Sequence, residues 1–134
     1  MPPAGLVCQH PVMDMTLRFE IFPEDLDVTV GFYQRVLGFQ LTDDRRTEDY
    51  VALRRGAVRV GAVQTTLPNA RAARRPPAGV ELVLEVDDVA AERGRVLAAG
   101  WPLDEDLQDR PWGLRDFRIL DPDGYYLRIT SRAS

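Results

Sequence analysis

The sequence predicts an α+β fold made of two tandem β-α-β-β-β modules, and two observations carry that expectation. Gly38-Phe39-Gln40-Leu41 and Gly100-Trp101-Pro102-Leu103 stand at equivalent places, each after a strand pattern, a helical pattern and a glycine stop. The chain is therefore one plan written twice. After each glycine come three more extended segments, and the last two are joined by Asp121-Pro122-Asp123-Gly124. Pro122 presets φ at the second position of a turn and Gly124 supplies a permissive backbone at its end, so these four residues read as a tight hairpin.

In the first copy, Leu17 to Phe22 reads as a strand. Asp25 is a suitable N-cap, Leu26, Val30, Tyr33 and Leu37 recur at helical spacing, and Gly38 stops the helix at C′. Extended segments follow over about residues 40–43, 50–54 and 58–64. Residues 67–79 are rich in Pro, Ala and Arg and read as a linker; Arg71, Arg74 and Arg75 there suit either a solvated linker or an anionic partner. In the second copy, residues 80–86 alternate as a strand, and Asp87 or Asp88 caps a helix carrying Val89, Val96 and Leu97, which Gly100 ends. The remaining strands are expected over about 102–105, 115–120 and 125–131. One domain over 1–134 results, with module one about 14–66, the linker 67–79 and module two about 80–131.

Strand parity assigns faces, because each helix needs an apolar sheet surface beneath it. Leu17, Phe19 and Ile21 go under the first helix, leaving Arg18, Glu20 and Phe22 on the opposite face. Leu82, Leu84 and Val86 go under the second, leaving Glu81, Val83 and Glu85. In the last strand Tyr125, Leu127 and Ile129 pack inward, while Tyr126, Arg128 and Thr130 face away; Phe117 and Ile119 likewise leave Asp116 and Arg118 on the second face. If the two sheets curl toward each other, these second faces line one cavity in a curved, half-open, eight-stranded barrel-like sheet with the helices outside.

Composition narrows the chemistry. A net charge of −4 argues against nucleic acid as a partner, since phosphate binding draws on clustered positive charge. All 17 basic residues are arginine, which removes Schiff-base and lysine-base mechanisms together. Cys8 is the only cysteine, so no intrachain disulfide can form and a reducing compartment is expected. The opening MPPAGLVCQH has no positively charged n-region and no apolar run of signal length, and no segment approaches a membrane span. A soluble, cytoplasmic protein is the expectation.

Thr29-Val30-Gly31-Phe32-Tyr33-Gln34-Arg35-Val36-Leu37-Gly38-Phe39 and Asp121-Pro122-Asp123-Gly124-Tyr125, in register on a doubled plan, resemble the signatures of the glyoxalase, bleomycin-resistance and extradiol-dioxygenase superfamily, the vicinal oxygen chelate fold. The resemblance covers about residues 17–131. Enzymes of that family hold a divalent metal with His, Glu or Gln from the first and last strands of each module. Carried over, those positions fall on Arg18, on Arg59 or Val60, on Glu81 and on Arg128. One carboxylate among cations makes no metal site, and His10, the single histidine, cannot supply a two-histidine one. An all-oxygen set of Glu20, Glu81 and Glu85 would pair with Arg18 and Arg128 instead.

The resemblance is nearest to the metal-free bleomycin-resistance type, through Pro111-Trp112-Gly113-Leu114-Arg115-Asp116-Phe117 ahead of the turn. It implies a metal-independent protein that sequesters a hydrophobic or aromatic antibiotic or similar natural product, with no cofactor and no catalytic residue. It further implies a homodimer whose modules build pockets shared across the interface. The candidate ligand residues are Trp112, Tyr126, Arg128, Arg18, Glu20, Glu81, Arg118 and Phe39; core or dimer packing is the better reading of Phe39 and Trp101, and Trp112, the foremost ligand contact, has packing on the sheet edge as its other reading. The alternative is a metal-dependent lyase, isomerase or dioxygenase acting on a small substrate, which would take a metal on Glu81 and its neighbours or use Glu20 or Glu81 as general acid and base.

Overall fold

The computed structural model describes residues 14–42, 47–66 and 80–132. The expected linker with its arginines, together with Cys8 and His10, lies outside them. Ten elements follow in order: β1 (Arg18–Ile21), α1 (Leu26–Arg35), β2 (Gln40–Leu41), β3 (Tyr50–Arg55), β4 (Val58–Val63), β5 (Leu82–Val86), α2 (Val89–Ala98), β6 (Glu105–Asp109), β7 (Arg115–Leu120) and β8 (Tyr126–Ser131). They form two four-stranded sheets, ordered β1-β4-β3-β2 and β5-β8-β7-β6. In each sheet the first strand runs parallel to the last and the other pairs are antiparallel. The doubled β-α-β-β-β plan is therefore the observed one, with the eight strands in two open sheets.

Helix α1 starts where Asp25 accepts hydrogen bonds from the Asp27 and Val28 amides, and α2 where Asp88 accepts one from Ala91. Both helices end on a glycine in the left-handed region, Gly38 at φ 73° and Gly100 at φ 78°, a conformation in which a Cβ would be strained. Beneath α1 lie Ile21, Val51, Leu53, Val60 and Ala62; beneath α2 lie Phe117, Ile119, Leu127 and Ile129. All belong to a single core, joined at its centre by Phe32, whose ring lies 5.0 Å from Tyr33 and 4.7 Å from Trp101.

Polar contacts tie the modules together beside that core. The Tyr33 hydroxyl donates to Asp121 at 2.9 Å and the Thr29 hydroxyl to Asp123 at 3.1 Å. The Glu24 amide donates to Asp123 at 3.0 Å, and the Phe22 amide to the Tyr125 hydroxyl at 3.1 Å. On the other side Arg55 bonds the Leu37 carbonyl and the buried carboxylate of Glu92. The turn itself closes as expected, with the Gly124 amide 2.9 Å from the Asp121 carbonyl and Gly124 at φ 84°.

Three expectations need correction. The strand expected over 102–105 is found at Glu105–Asp109, because Pro102 has no N–H for a ladder and Leu103 is drawn toward the core instead. Leu17 is 74% exposed and precedes β1, which begins at Arg18. Leu97 is exposed as well, and the buried face of α2 carries Glu92 with Val89 and Val96.

Candidate functional site

The second sheet presents a charged face opposite its helix. Arg118 on β7 and Arg128 on β8 are direct cross-strand partners, and Glu81 lies against both, 3.2 Å from Arg118 Nη2 and 3.6 Å from Arg128 Nε. Arg118 also reaches Glu105 on β6, and Arg110 bonds both Glu105 and the buried Asp116. Two like charges opposite each other in a sheet repel, so Glu81 is what allows the arginines to coexist. Even so, Glu81 Oε2, Arg118 Nε and Arg128 Nε are buried atoms without a hydrogen-bond partner of good geometry. Tyr126 stands beside them, with the Arg118 guanidinium 5.7 Å from its ring centre and its hydroxyl donating to Asp104 at 2.9 Å. Burial, and then the Asp104 carboxylate, push the Tyr126 hydroxyl above its ordinary pKa, so it stays a neutral donor.

The corresponding face of the first sheet carries Arg18 and Glu20, paired at 2.9 Å, together with Arg59, Arg54, Gly61 and Tyr50. Asp88 follows Asp25 by the same interval as Glu81 follows Arg18 and Val83 follows Glu20. The ladders set Glu20 opposite Gly61 and Val83 opposite Arg128. The first-module counterpart of Arg128 is thus Gly61, a correction of the expected Arg59 or Val60; Val60 points into the core and Arg59 lies two residues earlier on the same face. A Cβ at residue 61 would lie 1.9 Å from Glu20 Oε2 and 2.8 Å from the Tyr50 hydroxyl, so the space a side chain needs there is filled.

These residues do not fit a divalent metal. Arg18, Gly61, Glu81 and Arg128 stand at the four positions, and their single carboxylate is turned to two guanidiniums. Among the described residues no three His, Cys, Asp or Glu side chains gather in a way that could hold one.

Of the eight candidates, Glu81, Arg118, Tyr126 and Arg128 come together on the second sheet, and Arg18 and Glu20 lie together on the first. Trp112 is 61% exposed in the β6–β7 turn, next to Gly113 at φ 89°. Phe39 lies in the core, its ring 5.6 Å from Tyr33, away from both charged faces. It also borders a cleft of about 340 Å³ between the β3–β4 turn and the β5 edge, which neither Trp112, Tyr126 nor Arg128 lines. Sequence reasoning missed Glu105, Arg110 and Asp104, whose roles depend on the placement of β6. An alternation count begun at Glu105 rather than Pro102 would have found Glu105 and Leu107 on one strand.

No helix among the described residues is long and apolar enough to cross a membrane. A search of curated proteins finds no match to this chain. Among solved structures, TioX from Micromonospora sp. ML1 is 27% identical, with a TM-score of 0.73 over 90% of this chain and 100% of its own. A glyoxalase/bleomycin resistance protein/dioxygenase from Alicyclobacillus acidocaldarius is 20% identical, with a TM-score of 0.73 over 90% and 93%. Lactoylglutathione lyase from Agrobacterium tumefaciens is 19% identical, with a TM-score of 0.66 over 90% and 95%. At the last two identities the likeness is one of fold. The family model for the glyoxalase/bleomycin resistance protein/dioxygenase superfamily matches residues 15–129, which hold the inter-module contacts and both sheets up to the last two residues of β8, and the chain belongs to that superfamily.

Proposed function

We propose that this protein binds and sequesters a hydrophobic or aromatic small molecule, an antibiotic or similar natural product, without a metal and without transforming it. The observation that carries this reading is the replacement of the family's metal positions by Arg18, Gly61, Glu81 and Arg128, with Glu81 already shared between two guanidiniums. Such a face offers stacking and hydrogen-bonding surfaces through Tyr126 and the arginines in place of a Lewis acid, and the exposed Trp112 in the β6–β7 turn is a further stacking surface. The likeness to a lactoylglutathione lyase is one of fold and lends the enzymatic alternative no support.

The working unit in this proposal is a cytoplasmic homodimer. The two charged faces belong to separate sheets, β1 and β5 are edge strands, and Leu17, Phe22, Val80 and Val83 are exposed on or beside them. Unpaired strand edges with apolar neighbours favour pairing with another chain. Equilibrium sedimentation should give a dimer, and a monomer at all concentrations would remove that part of the proposal. For function, the purified protein is screened by thermal shift against planar antibiotics, since a ligand of the folded state alone raises the melting temperature. Mass spectrometry of a stabilising compound recovered after long incubation should show it unchanged; a modified product would replace sequestration by catalysis.

A further inference from the structure

The charged faces of the two sheets differ in balance. On the second, Arg110, Arg118 and Arg128 face Asp116, Glu81 and Glu105, one carboxylate for each guanidinium. On the first, the ladders place Arg18 opposite Arg59 and Arg59 opposite Arg54, with Gln40 next in line. That makes a row of three arginines across adjacent strands, spaced about 4.8 Å apart. Arg18 pairs with Glu20, whereas Arg59 donates to the neutral Thr16 hydroxyl, at 2.6 Å. Among the described residues no carboxylate pairs with Arg59 or Arg54. Like charges set opposite in a sheet oppose folding, and here the surplus lies on one face of a chain whose net charge is −4.

We propose that the row Arg18, Arg59 and Arg54 receives an oxyanion, such as a carboxylate, carried by the aromatic ligand. The proposal rests on the reading of the protein as a binder of aromatic molecules, and adds that the molecule is an acid. Guanidinium forks match the planar oxygens of a carboxylate, and neighbouring strands give two forks for one anion. Gln40 at the end of the row adds an amide donor. Gly61, next along β4 on the same face, carries no side chain to stand over the row, although Glu20 crosses it.

The test measures binding of 2-naphthoate, of its neutral analogue 2-naphthamide and of acetate to the full chain by calorimetry, with the arginine Nε–H signals followed by NMR. Naphthoate should bind at least roughly tenfold more tightly than the amide, with a preference that shrinks as salt rises from about 20 to about 300 mM. Arg59→Gln and Arg54→Gln should each lower naphthoate affinity about tenfold and spare the amide, whereas Arg93→Gln, on α2, should change neither. Both row variants should melt no lower than the parent, because each relieves repulsion. Equal binding of the two naphthalenes, or a preference that survives both substitutions, overturns the oxyanion row and leaves the aromatic reading intact. Acetate shifting the Arg59 signal while neither naphthalene binds supports the row and removes the aromatic reading. Silence from all three probes overturns both.

Discussion

Replacing Asp121 by Asn should change how stability depends on pH. Asp121 is 3% exposed and lies at the junction of the modules, where its Oδ1 accepts the Asp123 and Tyr125 amides and its Oδ2 the Tyr33 hydroxyl. Burial opposes ionisation and outweighs those three hydrogen bonds, raising the carboxyl from 3.8 to about 6. At about 1.4 kcal/mol for each tenfold change in proton affinity, that difference is about 3 kcal/mol. The sign follows from which state holds the proton. Between pH 3.8 and about 6 the folded chain binds more protons than the unfolded one. Stability from this group is therefore complete below that window and lost as pH rises through it.

Asn suits the site: its oxygen can take both amides, and its NH₂ can donate to the Tyr33 oxygen in place of accepting from it. Urea unfolding followed by fluorescence of Trp101, which packs against Phe32, reports the difference between parent and variant. The variant's stability relative to the parent should rise by about 2 kcal/mol from about pH 4 to about pH 7, most of the full difference. Curves that stay parallel over that range would show the carboxyl titrating at or below its ordinary value, with the hydrogen bonds at least offsetting the burial cost.

Phe32→Ala should cost about 3–5 kcal/mol, because the ring is 1% exposed and fills the centre of the joint core; calorimetry giving under about 1.5 kcal/mol would mean the modules do not depend on that contact. Trp112→Ala should leave stability within about 0.5 kcal/mol yet weaken binding of a planar ligand, and a marked fall in melting temperature would assign Trp112 to packing instead. Glu81→Gln should destabilise by about 1 kcal/mol at low salt, since Arg118 and Arg128 then face each other unshielded. Added salt should narrow that gap, and a salt-independent loss would point to packing rather than charge.

The parts of the fold that local chemistry controls were legible. Asp25 and Asp88 cap, Gly38 and Gly100 stop, Asp121 to Gly124 turn, and β7 spans Arg115–Leu120 as its alternation requires. Parity also grouped Glu81, Arg118, Tyr126 and Arg128 on one face, because a period of two survives wherever a strand is regular. It failed at β6, where Glu105-Asp106-Leu107-Gln108-Asp109 has one apolar residue and the ladder register shifts between Glu105 and Gln108. What no local pattern could show were contacts between distant segments. Glu92 reads as a solvated helix residue until Arg55, 37 positions earlier, is placed against it. The arginine row is likewise invisible until the ladders set Arg18, Arg59 and Arg54 side by side.

The two segments that carry the family signature meet in the structure, and this explains why they say so little about chemistry. Thr29 and Tyr33 from one signature bond Asp123 and Asp121 from the other, and Tyr125 completes the joint on Phe22. A buried carboxylate is costly unless its partners are placed correctly, so each of these residues constrains the others and none is free to serve a ligand. On the faces opposite the helices Arg18, Glu20, Glu81 and Arg128 are each partly solvated, so a guanidinium can stand there in place of a carboxylate while the core is left as it was. Residues 18, 61, 81 and 128 lie on those faces. Within this architecture the joint fixes the relation of the modules, and the residues at those four positions determine whether the faces can hold a metal ion.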